Sequence, residues 1–444
     1  MILQKNSIFK TLNKNINKLN KFNILFLFII YLILIVILST VFYSQFILLY
    51  PEIIDIDGNI NYKNLPFEYG ALIENFINKQ KYFDKIFIMG EPVDFYLSRL
   101  PVLPYIYFFS SLFSSKLFFF IIFKNIIFFS IIFFTTLNFT KYKNYNFFSF
   151  LILIFIFFYN PYNLKVITNF VYADFIISIL IPVLFLICIS NFKYKDYYIG
   201  LIVFTLYLSK TSVMFICIFV TIYFLLFEKK KIPICFLLMA IIAWGTFGYL
   251  KTNKFPFAQS MLSTNSHALA ISLNKSFHKF YPLISVDYVP HCNLRTNKEE
   301  NCNFIPEKIE NEWDFYNFYK KNNSEYVKKN QIIFFNDIIL KIKTIFFNYF
   351  EDGQIYIKNQ QPEKKFQFSI FLNKLILIMA IIIALRSVLK NFKISKNKIE
   401  ILFLIILISS LPAYLIGWAL NRHLVYLFIM SHIYLFLKIK IKIK

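Results

Sequence analysis

Apolar residues in this chain run together in long uncharged stretches rather than recurring at a period of 3.6 or 2. Ile24–Leu49 passes 26 residues without a charge. A bilayer core of about 30 Å is crossed by about 20 apolar residues as a helix. Lipid offers backbone groups no outside partner, so such runs are read as spanning helices. Comparable stretches recur to the end of the chain and predict spans at about 23–49, 116–138, 146–159, 171–190, 197–208, 212–227, 232–250, 367–388, 399–419 and 423–437. The expected fold is thus an all-α polytopic membrane protein of about ten transmembrane helices. The apolar stretch Pro101–Phe113 has only 13 residues and reads as a helix lying on the membrane surface.

Lysines supply the orientation. Lys5, Lys10, Lys14, Lys18 and Lys21 precede the first run, Lys141 and Lys143 follow the second, and Glu228-Lys229-Lys230-Lys231 follows the sixth. Arg386, Lys390, Lys393, Lys396 and Lys398 lie at or after the end of the eighth, and a Lys-Ile repeat ends the chain. Ten spans put all of these on one side, the cytoplasmic side by the positive-inside rule, with both termini there. The acids segregate the other way: 20 of 24 fall in 50–115 and 251–366, the two regions placed outside. The organisation expected is therefore a cytoplasmic tail 1–22, a transmembrane module 23–250 with outer loop 50–115, an outer region 251–366, and C-terminal helices with a basic tail over 367–444. The first run is too long for a signal-peptide core, and no small-x-small cleavage site follows it.

Composition agrees with this reading: 58% of residues are hydrophobic and 21% aromatic, above the usual apolar share of about 45–50% in soluble domains. The net charge of +24 does not point to nucleic acid, because the lysines flank apolar runs. The partner implied is the bilayer, at a bacterial inner membrane. Cys188, Cys217 and Cys235 lie in or beside spans and read as small apolar fillers. Cys292 and Cys302 share the outer region and are candidates for a disulfide if it faces an oxidising compartment. Gly-rich phosphate loops, Walker motifs and dinucleotide fingerprints are absent, and no Cys/His spacing resembles a zinc site. His278, His291 and His432 stand isolated and read as structural.

Ionisable residues at membrane depth are costly and mark functional sites by default. Asp174 falls near the start of the fourth span, Lys210 at the tip between the fifth and sixth, and Arg422 and His423 at the entry of the tenth. All map to the outer side, as do Asp55, Asp57, Glu68 and Arg99. Taken singly, Lys210 and Arg422 are explained by snorkelling to lipid phosphates, and Asp174 by a helix N-terminal dipole. Together they bring acids and bases from distant segments to one membrane surface. A carboxylate there can act as general base on an acceptor, and cations can stabilise a departing phosphate.

The arrangement resembles the GT-C fold of membrane glycosyltransferases that use polyprenyl-phosphate sugars. The branches it is most similar to are the lipid A aminoarabinose transferases, the protein O-mannosyltransferases and related lipopolysaccharide transferases. The resemblance rests on Phe67-Glu68-Tyr69-Gly70, Arg99-Leu100-Pro101-Val102-Leu103-Pro104, Tyr172-Ala173-Asp174, Leu208-Ser209-Lys210-Thr211-Ser212 and Asn421-Arg422-His423-Leu424, and on the stretch Glu325–Lys341 before the eighth span. It covers most of 23–437. It implies an inverting transfer from a sugar carried on polyprenyl phosphate to a glycan, lipid or protein acceptor. Lys210 and Arg422, with Arg99 and His423, would hold the phosphate, Asp174 would be a second acid, and the base would be Asp55, Asp57 or Glu68. The family's acid pair before the loop tyrosine is missing here, where Leu65-Pro66 stands. A divalent metal is optional in that fold. The competing readings are a secondary transporter or lipid flippase, and a polysaccharide polymerase or ligase. Transporters set their binding residues at the midplane on helices broken by Gly or Pro, whereas this chain has 8 glycines and its ionisable residues map to one face.

Overall fold

The computed structural model describes residues 21–49, 51–62, 70–88, 91–97, 99–169, 172–191, 193–256, 310–347, 366–390, 397–416 and 421–443. Glu68, Cys292 and Cys302, like His278 and His291, lie outside the described residues. The described part is mostly helical: α1 (Lys21–Leu49), α2 (Gly70–Lys79), α3 (Val102–Ser111), α4 (Leu117–Tyr142), α5 (Phe147–Phe158), α6 (Pro161–Thr168), α7 (Asp174–Cys188), α8 (Lys195–Tyr207), α9 (Met214–Phe227), α10 (Ile232–Thr252), α11 (Glu312–Lys329), α12 (Gln331–Phe347), α13 (Gln367–Lys390), α14 (Lys398–Ile416) and α15 (Val425–Ile443). Between α2 and α3 the antiparallel strands β1 (Asp84–Ile88) and β2 (Glu91–Phe95) pair from Asp84–Phe95 to Ile88–Glu91. This hairpin departs from the all-α expectation; the short alternation within 84–95 is too brief to stand out beside the spans.

Each expected span overlaps a helix, but α7, α8 and α9, at 15, 13 and 14 residues, are shorter than the crossing length of about 20. Six helices of the described residues are individually long and apolar enough to cross a bilayer, or seven if α5 and α6 count as one span bent by 74°. The chain is thus a multi-pass helical membrane protein. The bend has a local cause: Asn160 caps α6 by accepting from the amides of Tyr162 and Asn163, and Pro161 stands at the first helical position, where its missing N–H costs nothing. The expected surface stretch Pro101–Phe113 forms α3, of ten residues.

At the centre stands α7. All fifteen of its residues are buried, and it packs against α4, α6, α8 and α15. By contrast α1 leaves Phe22, Leu25, Phe26, Ile29, Ile33 and Ile37 exposed, as a lipid-facing helix does. Lipid tails are as apolar as the side chains, so polar contacts and close packing hold such helices together. Tyr31 donates to the Phe129 carbonyl at 3.1 Å, Asn125 to Ser39 Oγ at 2.9 Å, and Asn373 to Asn163 Oδ1 at 2.8 Å.

Three buried lysines perform the same task. The Lys124 ammonium donates to the carbonyls of Thr168 and Asn169, each at 2.8 Å, at the end of α6. Lys374 donates to Thr344 O at 2.7 Å near the end of α12, and Lys341 to Ile416 O at 3.2 Å at the end of α14. The last carbonyls of a helix have no intrahelical donor and carry partial negative charge. An ammonium inside the bundle therefore both satisfies them and finds its counter-dipole.

Candidate functional site

Asp174 is the first residue of α7, and the preceding Ala173 offers no side-chain cap. A carboxylate there faces the uncapped amides and positive end of the central helix. Lys210 lies between α8 and a 3-10 turn, Thr211–Val213, with extended backbone. Arg422 and His423 lie in a second 3-10 turn, Asn421–Leu424, that leads into α15. Because α8 and α15 both pack on α7, these turns meet at its head.

The contacts are direct. Lys210 Nζ donates to Asp174 Oδ1 in an ion pair. Arg422 Nε stands 3.7 Å from Oδ2, and His423 Nε2 stands 3.8 Å from Oδ1. The Arg422 guanidinium lies over the Tyr172 ring at 4.3 Å. Tyr414 donates to the His423 carbonyl at 2.7 Å, and its oxygen lies 2.9 Å from the Tyr426 hydroxyl. Exposure divides the cluster by function: the Asp174 side chain is 4% exposed, whereas Lys210 and Arg422 are 22% and 24% exposed. The acid is sealed in, and the two cations stay partly exposed. Two fixed cations against one carboxylate leave the cluster net positive, fit to receive an anion.

Arg99 belongs to a segment docked beside this cluster. The Val102 amide donates to Leu208 O at 3.3 Å, two residues before Lys210, and Tyr82 donates to Arg99 O at 2.8 Å. Asp55 and Asp57 occupy a tight turn at the head of α4, with Gly58 at φ +78° and Leu117 N donating to Gly58 O at 3.3 Å. The Asp55 carboxylate accepts from the Asn59 side chain at 3.1 Å and the Asn59 amide at 2.8 Å. The Asn59 side chain, then its backbone N–H, hold the Asp55 carboxyl below the usual carboxylate range. Asp57 is exposed beside it. So the structure joins Asp174, Lys210, Arg422 and His423, docks the Arg99 segment on the Lys210 turn, and ties Asp55 into its own turn.

Among the described residues no group of three or more His, Cys, Asp or Glu could hold a metal ion, and Asp174 faces cations, so this donor set does not fit a divalent ion. His432, expected to be isolated, bonds Tyr159 and lies 2.7 Å from the Phe428 carbonyl through Nδ1. Lys124 and Glu312 are among the charged residues that escaped the sequence reading. Lys124 had a signal, being a lone lysine inside an apolar run; Glu312 had none, being one acid among many in 251–366. At the opposite end of the bundle a second charged group forms: Glu228 pairs with Lys195 at 3.4 Å and with Lys398, and Lys230 pairs with Asp196 at 3.1 Å.

Comparison of the chain with family models, curated proteins and solved structures finds no match.

Proposed function

We propose that this protein is a membrane glycosyltransferase that moves a sugar from a polyprenyl-phosphate donor to a cell-envelope acceptor at the outer face of the bacterial inner membrane. The observation that carries the reading is the cluster at the head of α7: a buried carboxylate organising two accessible cations and a histidine at one end of a membrane bundle. A lipid-borne phosphate entering sideways from the bilayer meets Lys210 and Arg422, with Arg99 from the docked segment. Asp174 is committed to its cations, so its part is to fix their spacing. The proton acceptor comes from the first loop. Asp55 is already engaged by two hydrogen bonds from Asn59, which makes its carboxylate a weaker base and favours Asp57 or Glu68. In the step, the base takes the acceptor's proton, the acceptor oxygen or nitrogen bonds to the anomeric carbon, and the carbon–oxygen bond to phosphate breaks with inversion. The bonding pair leaves on polyprenyl phosphate, whose charge the cations stabilise as it develops.

The test is transfer in proteoliposomes with a panel of radiolabelled polyprenyl-phosphate sugars, using wild type, Asp57→Asn, Glu68→Gln, Asp55→Asn and Lys210→Ala. Release of polyprenyl phosphate, abolished by one acid variant and by Lys210→Ala, is the expected result. No turnover of any donor, with all variants alike, would overturn it. A transporter or flippase is the second reading, supported by the broken pair α5–α6, a feature transporters use. It would move the donor across the bilayer with its sugar–phosphate bond intact. A polymerase or ligase would instead consume diphosphate-linked glycans.

A further inference from the structure

Glu312 opens α11 and is 2% exposed. Its Oε2 accepts the Leu97 amide at 3.0 Å, and the Tyr96 amide also bonds the carboxylate. Its Oε1 is buried and has no hydrogen-bond partner. A buried carboxylate is costly unless paired or hydrogen-bonded, and no cation pairs with Glu312 among the described residues. The amides it grips lie two and three residues before Arg99. From there the backbone runs to Val102, which holds Leu208, next but one to Lys210. A continuous path thus leads from α11 through residues 96–102 to the Lys210 turn.

We propose that Glu312 is a positioning residue: its carboxylate clasps the backbone of residues 96–97, docks α11 onto the segment that carries Arg99, and thereby sets where Arg99 stands relative to Lys210. The clasp stands on this geometry alone; its consequence for a lipid phosphate rests on the function proposed above.

The clasp is sensitive to pH. Burial raises the Glu312 carboxyl to about 7, and the Leu97 and Tyr96 amides only partly oppose that. The titratable group facing it is Tyr96, just past β2, which also feels Asp94. Nearby are Lys251, 5.9 Å from the Tyr96 ring, and Lys254, 5.5 Å from the Trp313 ring. On its own segment, Asp314 is held by Asn311 and by the Glu310 amide. An acid whose docked value exceeds its undocked value of 4.5 binds its proton more tightly when docked. Docking is therefore strongest at low pH and is lost as pH rises through about 7. With those two values the docking equilibrium weakens about tenfold between roughly pH 6 and pH 8.

The experiment is amide hydrogen exchange of the full chain in nanodiscs at both pH values, corrected for intrinsic rates, on wild type, Glu312→Gln and Glu312→Ala. Protection at residues 96–97 should fall about tenfold in wild type from the lower pH to the higher. In Glu312→Gln, a neutral side chain that keeps the acceptor, protection should be the same at both. In Glu312→Ala it should be lost at both, with α7 and α15 exchanging as in wild type to show that the fold holds. Wild-type protection in Glu312→Ala, or unchanged pH dependence in Glu312→Gln, would overturn the clasp. Farnesyl phosphate, titrated against the same proteins and Arg99→Ala, separates the two proposals. Weaker binding in Glu312→Ala, with no added loss in the Glu312→Ala/Arg99→Ala double variant, supports positioning through Arg99. Exchange as expected with farnesyl phosphate bound by none upholds the clasp and removes the lipid-phosphate reading.

Discussion

Replacing Asp174 with Asn tests whether one carboxylate organises the cations at the head of α7. The change keeps the shape and removes the charge. Lys210 then loses its ion pair, and Arg422 and His423 lose the carboxylate at 3.7 and 3.8 Å. Breaking a buried pair from one side costs about 3–5 kcal/mol, most of it the penalty on the charge left behind. Here the stranded cations keep 22% and 24% exposure, so water offsets part of that penalty and about 2–3 kcal/mol is expected. Lys210→Met should cost less, about 1–2 kcal/mol, because Asp174 keeps Arg422 and His423. The double variant should cost no more than Asp174→Asn alone, since removing Lys210 also removes a stranded charge. Thermal unfolding of the purified protein in detergent, followed by tryptophan fluorescence, reads these differences. For a chain of this length roughly 1–2 °C per kcal/mol is expected, hence a fall of about 2–6 °C for Asp174→Asn. The reasoning fails if Asp174→Asn unfolds with wild type, or if the two single shifts add in full, because additivity means the groups do not interact.

Lys124→Met should leave the Thr168 and Asn169 carbonyls without their ammonium donor. A loss of about 2 kcal/mol is expected, with faster amide exchange at the end of α6 but not in α7. Gly200→Ala should force apart α8 and α10, because its Cβ would lie 2.6 Å from the Phe236 ring. A cost of about 1–3 kcal/mol is expected, and it should vanish in a Phe236→Ala background, which a double-mutant cycle reads directly. Asp55→Ala should open the 55–59 turn at neutral pH, seen as faster exchange of the Asn59 amide. In wild type the lowered carboxyl of Asp55 means the turn is held above the usual carboxylate range. It should loosen only as pH falls through that lowered value, whereas an Asp55→Ala turn should not respond to acid.

The spans were legible because a bilayer imposes one requirement on every crossing segment, and Ile24–Leu49 or Leu117–Tyr142 meets it without help from its neighbours. Asp174, Lys210, Arg422 and His423 were legible for a related reason: a charge beside apolar sequence is expensive, so its presence asks for a partner. That rule named the residues; which one pairs with which depended on α8 and α15 packing against α7. The same rule applied to Lys124 and should have singled it out, yet its partners are backbone carbonyls, which carry no sequence signal. Glu312 shows where the rule ends. In a polar region an acid costs nothing until tertiary structure buries it, and what buries Glu312 is the backbone at 96–97, more than two hundred residues earlier in the chain. Readable sites are those the solvent makes costly from the start; sites made costly by folding become visible only with the fold. If the carboxylate that accepts the proton is of the second kind, the exposed Asp57 turn is the wrong place to look. The acid variants in the proteoliposome assay would then be silent while Lys210→Ala still abolishes transfer.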